Sequence, residues 1–459
     1  MSTPSAPVTP PADLLTDPAD PPTEPSAPSD PAPWTSAQKA AFRLFFSIGG
    51  GLLILAVFGS LFLAPVIAPV QAVFARFWAA ISGTDYARPQ ISGTGDTLAI
   101  WQYHLGWLVA GTLIPIIWSL LDRHRPDYRS LAGLLWQVGR LGLAIGMMFY
   151  GMAKVIPTQM GAMSIPAFAL TPAGDVSRFN VLWGFMGASD GYSIITGLVE
   201  LISGLLLLSR RTWAVGALGS IVSMGQVVLL DTFYNVPVKF LAFEFLLIAI
   251  AILTPYWPNI IRAVLGRAPG PAPTLWPAAG SGRTWLRRTG KTLAGAIVVL
   301  MLTLSTVMGT LSYSAIHTPR STLDGTWHAT SFQIDGRQAT VGADEDGLPW
   351  ANLAITLRGR GITESFGYNT LVTQDTAARV TPWFIEVDDA AIEIKRRKDD
   401  PAVRLDYRQP DADHLTLVGS VDGKRIAASF ERRAMLRESE GMRFTHPEPD
   451  PQRPIETFP

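Results

Sequence analysis

The chain has 459 residues, 48% of them hydrophobic and only 16% charged, and its formal charge is zero. Soluble globular proteins carry nearer ~25% charged residues, so the deficit points to lipid-facing segments, and the balanced charge leaves no basic field for nucleic acid. With no cysteine anywhere, disulfides, thiol catalysis and cysteine-ligated zinc or iron–sulfur centres are excluded.

The N-terminal segment, residues 1–37, has eleven prolines in its first 34 residues and few large apolar groups. It is predicted to be a disordered tail. It lacks the basic and apolar regions of a cleaved signal peptide. Seven stretches then have the ~20 apolar residues needed to cross a bilayer: 41–68, 100–121, 131–153, 191–209, 212–231, 237–255 and 292–312. The first two, within 38–130, read as additional spans, and the next four, within 131–256, as a core quartet. A basic cytoplasmic loop over 257–291 leads to the seventh span.

Arginine and lysine collect after spans two, four and six, at Arg123, Arg125 and Arg129, at Arg210 and Arg211, and from Arg262 to Lys291. The alternate connections carry fewer, so this side is predicted to be cytoplasmic. The N-terminus is then cytoplasmic and everything after residue 312 is extracytoplasmic, in the bacterial cytoplasmic membrane. From about 320 to 439 the period changes to two, in runs such as WHATSFQI, WANLAITL and RIAASFER. These read as about eight antiparallel strands. Asp335-Gly336 and Asp422-Gly423 mark hairpin loops. The expected domain is a small barrel or sandwich, loosely lipocalin-like, either filled by its own side chains or holding a small ligand. A second tail, 440–459, is expected to be disordered.

Glu200 interrupts the apolar run GLVELISGLLLL, and a carboxylate there costs at least ~2.5–3.5 kcal/mol on insertion scales, so it needs a partner. Counting ~1.5 Å per residue from the span ends puts Arg140 and Glu200 at one depth, which predicts an ion pair between them. Toward the outside, the same count places Glu244 and Gln226 at one level, and Lys154, Lys239, Asp231, Tyr150 and His104 at the outer ends. These nine residues are the candidate polar pocket, opening outward and closed by Arg140 and Glu200. The plainer reading stands beside it: a pair that fixes helix register, lysines snorkelling to headgroups, and His104 as a satisfied interfacial histidine. Gly142 and Gly146 suit a small-residue packing face. GASDG at 187–191 fits a nucleophile-elbow pattern through Ser189, but it opens a span and lacks the strand–turn–helix setting. No metal or cofactor motif is evident.

Arg140, then FYGMAK (149–154), then GLVELISGLLLL resembles the DoxX family of bacterial membrane proteins, over about 131–256. The resemblance implies a four-helix bundle in which Arg140, Gly151, Lys154, Glu200 and Gly204 hold family positions. It also implies an association with membrane redox complexes, through a quinone or other lipophilic small molecule and a soluble or membrane redox partner. The alternative is a non-catalytic membrane scaffold or carrier whose outer β domain recognises a partner. The two added spans, the seventh span and the β domain depart from the family pattern. The connection 174–190 has an apolar patch suited either to lie along the outer surface or to dip into the bundle mouth as a lid.

Overall fold

Charge-free runs of 19 residues or more leave the backbone one way to bond all its polar groups locally, and the chain takes it repeatedly. A computed structural model describes residues 32–59, 63–89, 95–160, 165–271, 273, 283–339, 347–358 and 369–434. Its helices are α1 Ser36–Phe58, α2 Ala64–Ser82, α3 Leu98–Leu121, α4 Arg129–Val155, α5 Arg178–Gly187, α6 Asp190–Leu208, α7 Trp213–Phe233, α8 Lys239–Ile252, α9 Trp257–Val264 and α10 Thr284–His317. Seven of these are long and apolar enough to cross a membrane alone, and α8 with the segment that follows makes a bent pair, at 44°, that passes the same test. Their outward faces carry Val66, Ile116, Val222 and Val299, all exposed.

The first expected span, 41–68, is corrected. The helix stops at Phe58, the amide of Leu63 donates to the Phe58 carbonyl, and a new helix begins at Ala64. Pro65 falls in its first turn, where a missing N–H costs nothing. The extra helix does not change which end the chain reaches. Trp34, Lys39 and Arg43 bond to Pro126, Arg125 and Asp122 beyond the C-terminal end of α3, whereas Gln102 near its N-terminal end donates to Thr84 and Asp85 just past α2. Residues 36–82 thus traverse the bundle once in total. Most of the expected N-terminal tail, residues 1–31, lies outside the described residues, as does the second tail. Thr35 nevertheless forms a capping box with Gln38, so the end of the expected tail, from Thr35 to residue 37, is part of a capped helix start. The expected loop 257–291 also contains structure, in α9 and the first two turns of α10.

Glycine sets the closeness of the central helices. A Cβ on Gly151 would stand 2.7 Å from the Leu201 nitrogen, one on Gly197 2.7 Å from the Gly151 carbonyl, and one on Gly204 2.8 Å from that of Ala144. No larger residue fits these three points, so α4 and α6 lie nearly backbone to backbone. Gly142 and Gly146 do form a packing face, meeting Leu53 and Phe58 of α1 and the Phe245 ring of α8.

The β domain is a closed barrel of antiparallel strands. They are β1 Gly325–Ile334, β2 Arg337–Gln338, β3 Trp350–Leu357, β4 Asn369–Asp375, β5 Val380–Val387, β6 Ala391–Lys395, β7 Val403–Arg408, β8 His414–Val421 and β9 Lys424–Arg432. Each of β3 to β9 pairs with its chain neighbour, and β1 closes the ring between β3 and β9, with β2 a short extension of the β1 hairpin. Both Asp-Gly dipeptides turn with positive φ at each residue, as a two-residue hairpin requires. The interior is filled by Trp327, Phe332, Trp350, Trp383, Ile392, Leu417 and Phe430, among others. Of the two expected states, filled and ligand-holding, these side chains describe the filled one.

The barrel sits on the connection between α4 and α5. Ala167 donates its amide to the Thr356 hydroxyl, Gln374 donates to the Leu170 carbonyl, and Arg358 reaches the Ile316 carbonyl at the end of α10. Barrel and N-terminal residues therefore lie at opposite ends of α4.

Candidate functional site

Beneath that connection, at the barrel end of the quartet, lies a cavity of about 80 Å³. Tyr150 and Lys154 of α4, Glu200 of α6, Met224, Val227 and Asp231 of α7, and Leu241, Ala242 and Phe245 of α8 form its walls. Gln159 and Met160, with Leu182, Trp183 and Met186 of α5, close the top. The apolar patch in 174–190 is thus a helical lid. Ser177 caps its first turn, and the Trp183 indole donates to the Gln159 carbonyl at 3.1 Å. Ser189 of GASDG serves as the N-cap of α6, accepting from the Tyr192 amide, which accounts for its place in the sequence.

Glu200 has a different partner from the one its depth suggests. Both its oxygens accept from Lys154 Nζ, at 3.0 and 2.8 Å, and both side chains are more than nine-tenths buried. The glycine contacts explain this: Gly197 packs on the Lys154 Cβ, one turn from Glu200. With Gly204 against Ala144 and Met148, the same register puts Arg140 beside the end of α6, roughly 15 Å below Glu200. The depth argument assumed that both helices start in one plane, but α4 extends well beyond α6 at that end. Leu143, Met147, Met148 and Leu207, all fully buried, separate Arg140 from the cavity. Its guanidinium lies 4.8 Å from the centre of the Trp136 ring instead.

Three more of the expected pocket residues fall elsewhere. Glu244 and His104 form a second buried pair, Nε2 to Oε1 at 2.9 Å, between α8 and α3. Leu241, Ala242 and Phe245 face the cavity, and Glu244 faces away from it toward α3, a helix outside the quartet. His104 is stacked between Tyr103 and Phe240, and its Nδ1 lies 2.8 Å from the Ile100 carbonyl. A carbonyl only accepts, so Nδ1 carries a hydrogen, and the contact with Glu244 must then hold one further proton between the two side chains. Gln226 is exposed. Met224, Val227 and Asp231 share the inner face at helical spacing, which turns Gln226 to the opposite side.

Lys239 pairs with Asp96 at 3.1 Å beside the cavity's outer rim, and Asp96 also accepts the amides of Lys239 and Phe240. That carboxylate caps the start of α8 from a distant segment, satisfying donors a helix leaves open. Of the nine candidates, Tyr150, Lys154, Glu200 and Asp231 meet in one cavity. Among the described residues Asp231 Oδ2 has no hydrogen-bond partner although the residue is 95% buried, and Glu244 Oε2 is likewise unpartnered. Groups of three or more histidine and acidic side chains suited to a metal ion are absent among the described residues.

Fold and site define a class: an apolar helical bundle with a roofed, mainly apolar cavity in a four-helix quartet, joined to a closed β-barrel. Over 100 residues the chain is 32% identical to YwoB, an uncharacterised protein of Bacillus subtilis (strain 168), a match covering 22% of this chain. The chain spans 62% of that relative's length. No protein-family model matches the chain, and no solved structure does.

Proposed function

We propose that the chain is an integral protein of the bacterial cytoplasmic membrane that binds a lipophilic small molecule in the quartet cavity. A quinone serving a membrane redox complex is the leading candidate, and the bundle is read as DoxX-like. The observation that carries this reading is the cavity itself: apolar walls, a lid helix, and a few convergent polar groups, the composition typical of small-molecule sites. The apolar outer faces of the helices support lipid immersion, since such a belt in water would be an aggregation surface. Arginines at the α3–α4 turn, beside the N-terminal residues, support a cytoplasmic location for that end. The barrel, at the other end of α4, is then extracytoplasmic.

The second reading is a scaffold or carrier, with the barrel recruiting a partner. The filled barrel favours it, since its recognition would use the outer surface. Thermal unfolding in detergent separates the two. A short-chain quinone raises the melting temperature of the wild-type protein, and Ala242→Phe, which fills the cavity, removes the increase. An unchanged melting temperature in the wild type overturns the quinone reading.

A further inference from the structure

At the end of the quartet away from the cavity, positive charge collects with no carboxylate to answer it. Gly204 of α6 meets Ala144 and Met148 of α4, so with the two helices antiparallel Arg210, in the α6–α7 turn, falls level with Arg140. Arg140 lies over the Trp136 ring, which meets the ring of Trp213 at the start of α7 with centroids 4.8 Å apart. The charge that acts on its guanidinium is that of Arg210, of the same sign. Arg211 follows, exposed. Among the described residues none of these three guanidinium groups has a hydrogen bond or a carboxylate. No aspartate or glutamate occurs in α4, in the α6–α7 turn or in residues 253–291. The carboxylates described at this end, Asp122 and Asp127, are committed to Tyr128, Arg125 and Arg129. A ring face does not meet the five N–H donors of a guanidinium, and an arginine at the edge of hydrocarbon is kept beside a counter-charge.

Resting on the reading of the chain as a membrane protein, though not on the cavity, we infer that Arg140 and Arg210 hold the phosphodiester of an anionic lipid from the cytoplasmic leaflet. The planar guanidinium fork matches two phosphate oxygens, and an anion between two like charges removes their repulsion. The α6–α7 turn, where two spans end, stands at headgroup height. Exposed leucines on the same two helices, Leu134 of α4 and Leu205 of α6, give an acyl chain a surface to lie on. A free phosphate would answer the charge and leave that surface unused. A zwitterionic lipid is disfavoured, because its cationic group would be brought toward arginine.

The test uses the full-length protein in detergent, titrated with phosphatidylglycerol or phosphatidylcholine and followed by native mass spectrometry. Phosphatidylglycerol binds at least about tenfold more tightly, as two cations near a headgroup would give. Arg210→Gln, in an exposed turn where folding is not at stake, lowers the preference about fivefold, and Arg140→Gln does the same. Arg123→Gln, at the α3–α4 turn of the same end, leaves it within about twofold, since a site and not a general field is being read. Equal binding of the two lipids by the wild type, or a preference untouched by Arg210→Gln, overturns the inference. An equal loss in Arg123→Gln does so too, because the whole face would then attract anions. Inorganic phosphate at the lipid's concentration leaves the preference in place; displacement of the lipid by it would assign the arginines to a free anion and overturn the lipid site. A chain that stays monodisperse without detergent removes the membrane reading and the inference together. One that needs detergent and shows no preference loses the inference alone.

Discussion

Barrel and bundle both bury carboxylates, and they treat them differently. In the barrel, Asp324 takes two bonds from the Arg358 guanidinium and one from the Leu357 amide. Asp375 takes the amides of Ala377 and Arg379 and the Arg379 side chain. Both are saturated by neighbours in the chain or across one strand. In the bundle, Glu200 is paired, but Asp231 and Glu244 each keep an oxygen without a partner among the described residues. Saturated groups hold a fold in one state. Unsaturated ones are retained at a cost and mark places where something else can bind or where a proton can be held.

The largest effect expected from this contrast lies in the barrel. Asp324→Ala removes both guanidinium bonds to the carboxylate, leaves the largely buried Arg358 with the Ile316 carbonyl, and destabilises the barrel by about 3 kcal/mol, read by chemical unfolding of the full chain. A change below ~1 kcal/mol would mean the saturated site is no more essential than an exposed pair. Next comes the bundle's ion pair. Lys154→Met leaves Glu200 alone in an apolar setting and costs about 2–3 kcal/mol of thermal stability in detergent. Lys154→Met with Glu200→Met recovers most of that loss, because neither charge then remains to be desolvated. If the double variant is as unstable as the single, the pair does more than compensate itself.

The smallest effect sharpens the comparison at the barrel surface. His414 is held above the usual histidine range by the Asp411 carboxylate, 2.8 Å from Nδ1, and both are exposed. A folded value raised above the unfolded one gives a contribution fully present below about pH 6.5, lost as pH rises through the folded value. Proton NMR of the imidazole should show the raised titration, and Asp411→Asn should return it to the ordinary range. A titration already ordinary in the wild type would remove the pair from any account of the barrel's pH dependence.

Local pattern carried much of the architecture. The two-residue period after 320 and the Asp-Gly pairs were enough for antiparallel strands, because register in a hairpin is set by its turn and its alternating faces, but they left barrel and sandwich open until the pairing of β1 with β9 closed the ring. Apolar runs marked most of the long helices. The break after Phe58 was hidden, since apolar residues continue through it and only Pro65 and Pro69 hint at a restart. In the site, residue type was readable but partnership was not. Glu200 announced that it needed a cation, and three basic residues, Arg129, Arg140 and Lys154, stood on α4. Gly151 and Gly197 were the signals that favoured Lys154, since close backbone approach fixes the offset between helices. Arg43, buried and bonded to Tyr128, Ser119 and the Asp122 carbonyl, gave no sign of this role beyond its place at a span border.

Hydrophobic periodicity and turn chemistry act over a few residues, so the sequence alone determined the apolar helices, the strands and the presence of costly buried charge. How far one helix slides along another, and which way each side faces, depends on contacts between residues far apart in the chain. Only tertiary packing could join Lys154 to Glu200, turn Gln226 outward, take Glu244 to a histidine on another helix, and set Asp231 in the wall of an enclosed space with one oxygen buried and without a partner among the described residues.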